Sequence, residues 1–332
     1  MSNSEISTMR AVQCHQFGPV SDLTVESISL PQPGPHEIRI QTHACGVNFP
    51  DALMVQGKYQ LTPDFPFTPG CEVAGTVSAI GDKVRHFSVG QKVAAVCQLG
   101  GFAEYVVVPA QQVMPVPDFI DMKEAAALIT AHATAHHALK QRSDLQPGET
   151  LVVTGAAGGT GLAAVQIGKA MGARVIAVCS DEAKLALARE NGADEGINYS
   201  QNDLKEELKR LTNGKGADVV YECVGGATFD TLSRSMAWEG RLLVVGFASG
   251  TIPKLPVNLA LVKGYALVGV FWGVFTQKSP EVFMQNMQEL LGWYQQNKVK
   301  VVIDSTYSLA EVNDALQKLT DRAVKGKLVL LP

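Results

Sequence analysis

Between two apolar stretches the chain carries Gly155-Ala-Ala-Gly-Gly-Thr-Gly161, and these residue types at this spacing can cradle a charged group. Residues 151–154 read as a short buried parallel strand, and residues 162–171 as the apolar-periodic helix that follows. The glycines let the backbone turn tightly and approach a pyrophosphate at the helix N-terminus, where free N–H groups and the helix dipole favour negative charge. The order strand, glycine turn, helix gives the pattern its specificity. Gly161 is followed by Leu162 rather than Lys-Ser/Thr, so the turn is not a nucleoside-triphosphate loop.

The next apolar strand, residues 173–178, tests which dinucleotide would fit. An acid near its end, about 20 residues beyond the glycine turn, would bind an adenosine ribose 2'-hydroxyl. Cys179 and Ser180 stand there, with Lys184 close behind. A hydroxyl and an ammonium welcome a 2'-phosphate, which a carboxylate would repel. Asp181 and Glu182 lie nearby, where acids also suit a first helical turn. The expectation is NADP rather than NAD.

Other candidate chemistries find little support. His132, His136 and His137 fall on one predicted helix, two of them at i, i+4, but no acid or third ligand lies beside them in sequence. A helix cap or a surface placement is the expectation for them. The six cysteines, at 14, 45, 71, 97, 179 and 223, form no Cys-x-x-Cys pair, which argues against a zinc ribbon or disulfide framework and suits a reducing cytosol. No Gly-x-Ser-x-Gly elbow supports a hydrolase.

The elements that must position these residues fall into two regimes. The chain has 332 residues, 46% apolar and 18% charged, enough for two domains with sizeable cores. Its net charge of -4 gives no reason to expect nucleic acid or an anionic membrane. The apolar runs are too short to span a bilayer, and residues 1–8 lack the pattern of a signal peptide, so a cytoplasmic location is expected. Up to about Pro117, short strands broken by Pro and Gly (10–13, 37–43, 75–80, 92–96, 105–109) predict a mostly β, barrel-like unit. From Asp121 onward strands 151–154, 174–178, 219–223, 241–245 and 266–270 alternate with helical patterns, which predicts a doubly wound parallel sheet. Helices are expected at 280–297 and 310–319. A closing strand, 327–331, is expected to return to the first domain, with the cofactor in the cleft between the two.

Five segments resemble the zinc-less quinone oxidoreductase branch of the medium-chain dehydrogenase/reductase superfamily: Gly46-Val-Asn-Phe-Pro-Asp51, Pro69-Gly-Cys-Glu-Val-Ala-Gly75, the glycine turn, Asp218-Val-Val-Tyr-Glu-Cys-Val-Gly-Gly226 and Gly326-Lys-Leu-Val-Leu-Leu331. The resemblance runs from Met9 to Pro332. It implies a discontinuous GroES-like catalytic domain, 1–130 and 276–332, and a Rossmann domain, 131–275. It further implies NADPH as hydride donor and a homodimer. Zinc-dependent alcohol dehydrogenases of this superfamily bind metal through a Cys where this chain has Asn48 and a His where it has Cys71. Asn is a poor zinc ligand, and the structural-zinc lobe of those relatives is missing, so no metal is expected.

Hydride transfer to an electron-poor carbon leaves an enolate or hydroquinone anion that needs a donor. The resemblance places Tyr59 where related enoyl reductases carry a Tyr donor, and Asn48 beside the nicotinamide. Asp51 either forms part of the site or caps the helix expected at 52–56. By the same likeness Thr134 lies near the nicotinamide amide, and Ala157, Gly158, Gly159 and Thr160 bracket the pyrophosphate. Ser180, Lys184 and Tyr199 then hold the 2'-phosphate. Phe247 and Phe271-Trp272, at strand ends, are expected to flank nicotinamide or substrate or, for the latter pair, to pack a dimer seam. Lys327 or Arg322 would add charge near the 2'-phosphate or stay solvated. The expected function is NADPH-dependent hydride transfer to small quinones or α,β-unsaturated carbonyls. The alternatives are an acryloyl- or enoyl-CoA reductase using Tyr59 as proton donor, and a nonenzymatic NADPH-binding sensor or scaffold.

Overall fold

The computed structural model describes residues 7–332, and these divide into two compact units, residues 7–130 with Ile303–Pro332, and Ala131–Val302. Of the N-terminal stretch read for a signal peptide, residues 1–6 lie outside the described residues. Among the described residues no helix is long and apolar enough to cross a membrane.

The second unit is built on six parallel strands. They lie side by side in the order Glu195–Asn198, Arg174–Cys179, Thr150–Thr154, Ala217–Glu222, Met236–Val244 and Ala266–Gly269. Counted along the chain this is 3-2-1-4-5-6, the doubly wound order whose direction reverses between Thr150–Thr154 and Ala217–Glu222. Val152, Ile176, Val220 and Leu242 on one face, and Val153, Ala177, Tyr221 and Leu243 on the other, are each at most 1% exposed, so the central strands are apolar on both faces, as helices on both sides require. Each such Val, Leu or Ile side chain gains roughly 1.5–3 kcal/mol by leaving water. Local signals start the helices: Asp203 accepts from the amides of Lys205 and Glu206 at 2.9 and 3.1 Å. Leu204, Leu208 and Leu211 of the helix Leu204–Leu211 then face the core.

In the first unit the long strand Glu37–Val47 is the organiser. It pairs antiparallel with Glu72–Ile80 along one edge, and with Tyr105–Pro109 and Lys327–Leu331 along the other. Glu72–Ile80 passes the sheet on to Lys92–Val96 and Val113–Pro115, and Ile303–Ser308 closes the far end beside Lys327–Leu331. The closing strand therefore reaches the N-terminal core through Leu328 opposite Val47 and Leu330 opposite Cys45.

One expected boundary needs correction. Residues 276–302, assigned above to the catalytic domain, belong with the doubly wound unit. The helix Pro280–Gln295 is tied there by side chains: Glu289 accepts from Lys140 and meets His136, Asn286 pairs with Gln141, and Phe283 packs edge-on against Trp272.

Candidate functional site

In the doubly wound unit the glycine turn leaves the end of strand Thr150–Thr154, and the helix Gly159–Ala170 begins directly after it. Its N-cap is Gly158, which offers no side-chain acceptor, and no acid occupies its first turn. The first amides of this helix are thus presented without an internal anion, at the point where strand order reverses. Gly161 is required by contact: a Cβ there would lie 2.2 Å from the Gly155 carbonyl oxygen, so only glycine lets the helix start this close to the turn. Thr160 pins the start from below, its Oγ1 2.5 Å from the buried Tyr221 Oη and donating to the Ala131 carbonyl at 3.3 Å. Ala157 is buried, while Gly158, Gly159 and Thr160 are partly open.

Sequence reasoning missed Glu222, at the end of the neighbouring strand. Its carboxylate is fully buried and accepts from Thr154 Oγ1 (3.0 Å) and from the amides of Val224 (3.0 Å) and Gly225 (2.9 Å). Burial pushes its pKa up while these donors pull it down. The signal was present as an acid ending an apolar strand inside a segment already singled out. Phe247 lies beside this turn, near Gly225. Phe271 is exposed, whereas Trp272 is buried against Phe283, so only Phe271 is open to a ligand or partner. Thr134 is half-buried on the helix Met122–His137.

Ser180, Asp181 and Lys184 meet at the end of strand Arg174–Cys179. Lys184 Nζ donates to Ser180 Oγ at 3.1 Å, and Ser180 Oγ donates to Asp181 Oδ2 at 3.1 Å. Asp181 Oδ1 caps the helix Glu182–Glu190 by accepting the Lys184 amide at 2.9 Å, and this bond leads the causes that hold its carboxyl below the usual range. Tyr199 is exposed, with its amide donating to the Cys179 carbonyl at 3.1 Å.

The three histidines correct the sequence reading. His132, His136 and His137 are all buried rather than superficial, and an acid does accompany them, from far along the chain: His136 Nε2 is 2.9 Å from Glu289 Oε2. His137 stacks on Phe275 at 3.7 Å. Burial lowers the pKa of His136 and His137, which suits neutral rings locking two helices together.

The first unit gathers Asn48, Asp51, Glu72 and Lys327 into one buried cluster. Asn48 is the N-cap of the helix Phe49–Val55, and its amide donates to Asp51 Oδ2 at 2.7 Å. Asp51 therefore does cap a helix, one that starts earlier than expected because Pro50 suits its first turn. Fully enclosed, Asp51 has its carboxyl pushed up to about 7, chiefly by burial. Glu72 accepts from Asn48 Nδ2 (2.8 Å), from the Thr130 amide (2.6 Å) and from Lys327 Nζ (2.8 Å). Gly46 makes room for it, since a Cβ there would fall 2.0 Å from Glu72 Oε1.

Lys327 is the second correction. Placed above beside the 2'-phosphate or in solvent, it is 4% exposed and donates to Asn48 Oδ1 (2.6 Å), Glu72 Oε1 (2.8 Å) and the Val47 carbonyl (3.3 Å). An ammonium held by three internal acceptors cannot serve an external phosphate. Arg322, its alternative, is exposed. Tyr59 is half-buried and lies within electrostatic reach of Cys71 and Asp51; burial first, then these two groups, raises its pKa.

Comparison with known proteins agrees with this architecture. Residues 34–118 match the model described as "Alcohol dehydrogenase GroES-like domain", and residues 159–290 the model described as "Zinc-binding dehydrogenase". These are the two halves of a medium-chain dehydrogenase/reductase, a GroES-like unit and a Rossmann unit. The chain is 39% identical to quinone oxidoreductase-like protein 2 homolog of Nematostella vectensis, over 97% of this chain and 88% of the relative. Its fold superposes on Pseudomonas syringae quinone oxidoreductase with TM-score 0.93 and 31% identity, covering 98% of this chain and 100% of the other. It superposes on Escherichia coli quinone oxidoreductase complexed with NADPH with TM-score 0.91 and 28% identity, covering 97% and 100%. The chain belongs to the quinone oxidoreductase family of medium-chain dehydrogenases/reductases. It is therefore an oxidoreductase, which sets aside the nonenzymatic alternative.

Proposed function

We propose that this chain is an NADPH-dependent, zinc-independent reductase that passes hydride to quinones or α,β-unsaturated carbonyls. The observation that carries the reading is the open helix N-terminus under the glycine turn, set where the parallel sheet reverses order. The fit to a dinucleotide is good. The amides at Gly159 and Thr160 would hold the pyrophosphate, Gly161 would let it approach closely, and Ser180 and Lys184, with Tyr199, would offer a hydroxyl and an ammonium to a 2'-phosphate. The Escherichia coli relative, whose structure is a complex with NADPH, supports the same choice. Bound NADPH supplies the hydride. Thr134, Phe247 and Phe271 are assigned to the nicotinamide and substrate end.

Zinc fits poorly. Asn48 stands where a thiolate ligand would be needed, and the carboxylate of Glu72 and the amide of Asn48 are already bonded to the Lys327 ammonium. Burial also drives the Cys71 thiol well above its usual pKa. No step of the proposed reaction therefore runs through a metal. A quinone can take its proton from solvent. For an enone or enoyl thioester the phenol of Tyr59, half-buried and near Cys71 and Asp51, is the proposed donor. A half-buried phenol at that position makes the enoyl reductase the second reading. Asn48 and Asp51 cap the helix Phe49–Val55, whose C-terminal end leads into the segment that carries Tyr59.

We further place the protein in the cytosol, where six unpaired cysteines are stable, and propose a homodimer. The dimer is supported by the edge strand Ala266–Gly269 and by exposed Trp238, Leu261 and Val262. The test of substrate class is NADPH oxidation with a para-quinone, a simple enone and a short enoyl-CoA, in the wild type and in Tyr59→Phe. A variant that loses enone turnover yet keeps quinone turnover and NADPH affinity supports Tyr59 as donor. Unchanged enone turnover removes that role.

A further inference from the structure

The end of strand Arg174–Cys179 contains a conflict that bears on cofactor choice. Ser180 and Lys184, the two groups that suit a 2'-phosphate, are both engaged by one carboxylate. Asp181 Oδ2 accepts from Ser180 Oγ at 3.1 Å and lies 3.5 Å from Lys184 Nζ. With Lys184 Nζ 3.1 Å from Ser180 Oγ, the three groups close a triangle at the surface, the Asp181 side chain being 47% exposed. The other acid nearby is turned elsewhere: Glu182 accepts from Asn198 at 3.2 Å and sits 3.8 Å from Arg189.

We infer that Asp181 is a specificity-determining residue, an internal anion that competes with the 2'-phosphate of NADPH for Ser180 and Lys184 and so narrows the preference over NADH. A 2'-phosphate arriving at these two donors brings about two negative charges next to a fixed carboxylate, and like charges repel. A 2'-hydroxyl arriving at the same place would donate to Asp181 Oδ2, as at an acid closing the second strand of a dinucleotide fold. Asp181 thus penalises one cofactor and rewards the other. It stays in place because its second oxygen caps the helix Glu182–Glu190.

This inference rests on the proposed NADPH reading, and the experiment separates the two. The ratio of kcat/KM for NADPH to that for NADH is measured with one quinone in the wild type, Asp181→Asn, Asp181→Ser and Lys184→Ala, with melting temperatures alongside. Asn and Ser both cap helices well, so neither variant should cost the fold. The ratio is expected to rise about tenfold in both Asp181 variants, roughly 1.4 kcal/mol. In Lys184→Ala it should fall by about one to two decades, the usual loss for a charge-assisted contact. A ratio unchanged or lowered in the Asp181 variants, with Lys184→Ala behaving as expected, overturns the inference and leaves the NADPH reading standing. Equal effects of Lys184→Ala on both cofactors overturn the 2'-phosphate assignment and the inference with it.

Discussion

The Lys327 ammonium bonds to Glu72 and Asn48, residues 255 and 279 positions away in the chain. No local pattern announces such partners, and an isolated lysine beside a glycine reads by default as solvated. Its burial became visible only when the closing strand was seen paired with Glu37–Val47. The same distance hid the Glu289 partner of His136. Glycine and helix-cap chemistry was legible because it acts over a few residues, as with Gly161 and Asp51. At Lys327 the physics gives a stability prediction. Lys327→Met leaves the Glu72 carboxylate buried without its cation, which should cost about 3–5 kcal/mol. Adding Glu72→Gln should restore most of that loss, because the uncompensated charge is gone. Denaturant unfolding of both variants reads this out, and a harmless single variant would show that the pair carries no such charge balance.

Elements followed the strength of their pattern. The central strands Thr150–Thr154, Arg174–Cys179 and Ala217–Glu222 stood out because parallel strands buried on both faces are nearly continuous apolar runs. Four strands left no such mark: Thr24–Ser29, Val113–Pro115, Glu195–Asn198 and Ile303–Ser308 are short or largely polar, and tertiary pairing alone makes them strands. The misplaced boundary at 276 arose because the amphipathic pattern of Pro280–Gln295 shows that one face is buried and not against which unit. The glycine turn and its helix form the element on which cofactor binding depends. Gly161→Ala should overpack the contact with Gly155, costing about 1–3 kcal/mol, and should shift the first amides away from the pyrophosphate. Thermal melting with and without NADPH is the check. The wild type should gain stability from the ligand by mass action and the variant much less. An equal ligand-induced rise in both would remove the turn from the cofactor site.

For the whole molecule, the doubly wound class followed from alternation of strand and helix, and the family likeness added the GroES-like unit. What alternation does not encode is association. Trp238, Leu261 and Val262 are 72%, 81% and 73% exposed, and the proposed dimer would cover them. Sedimentation should give a dimer for the wild type and a monomer for a Leu261→Asp, Val262→Asp double variant. A monomeric wild type, or a double variant that stays dimeric, would reject this face as the seam. Hydride transfer from NADPH without a metal is best checked by following NADPH oxidation with a para-quinone after exhaustive chelation. Turnover should be unchanged by chelation and not raised by added zinc. Turnover lost on chelation and restored by zinc would contradict it, as would no oxidation with any acceptor.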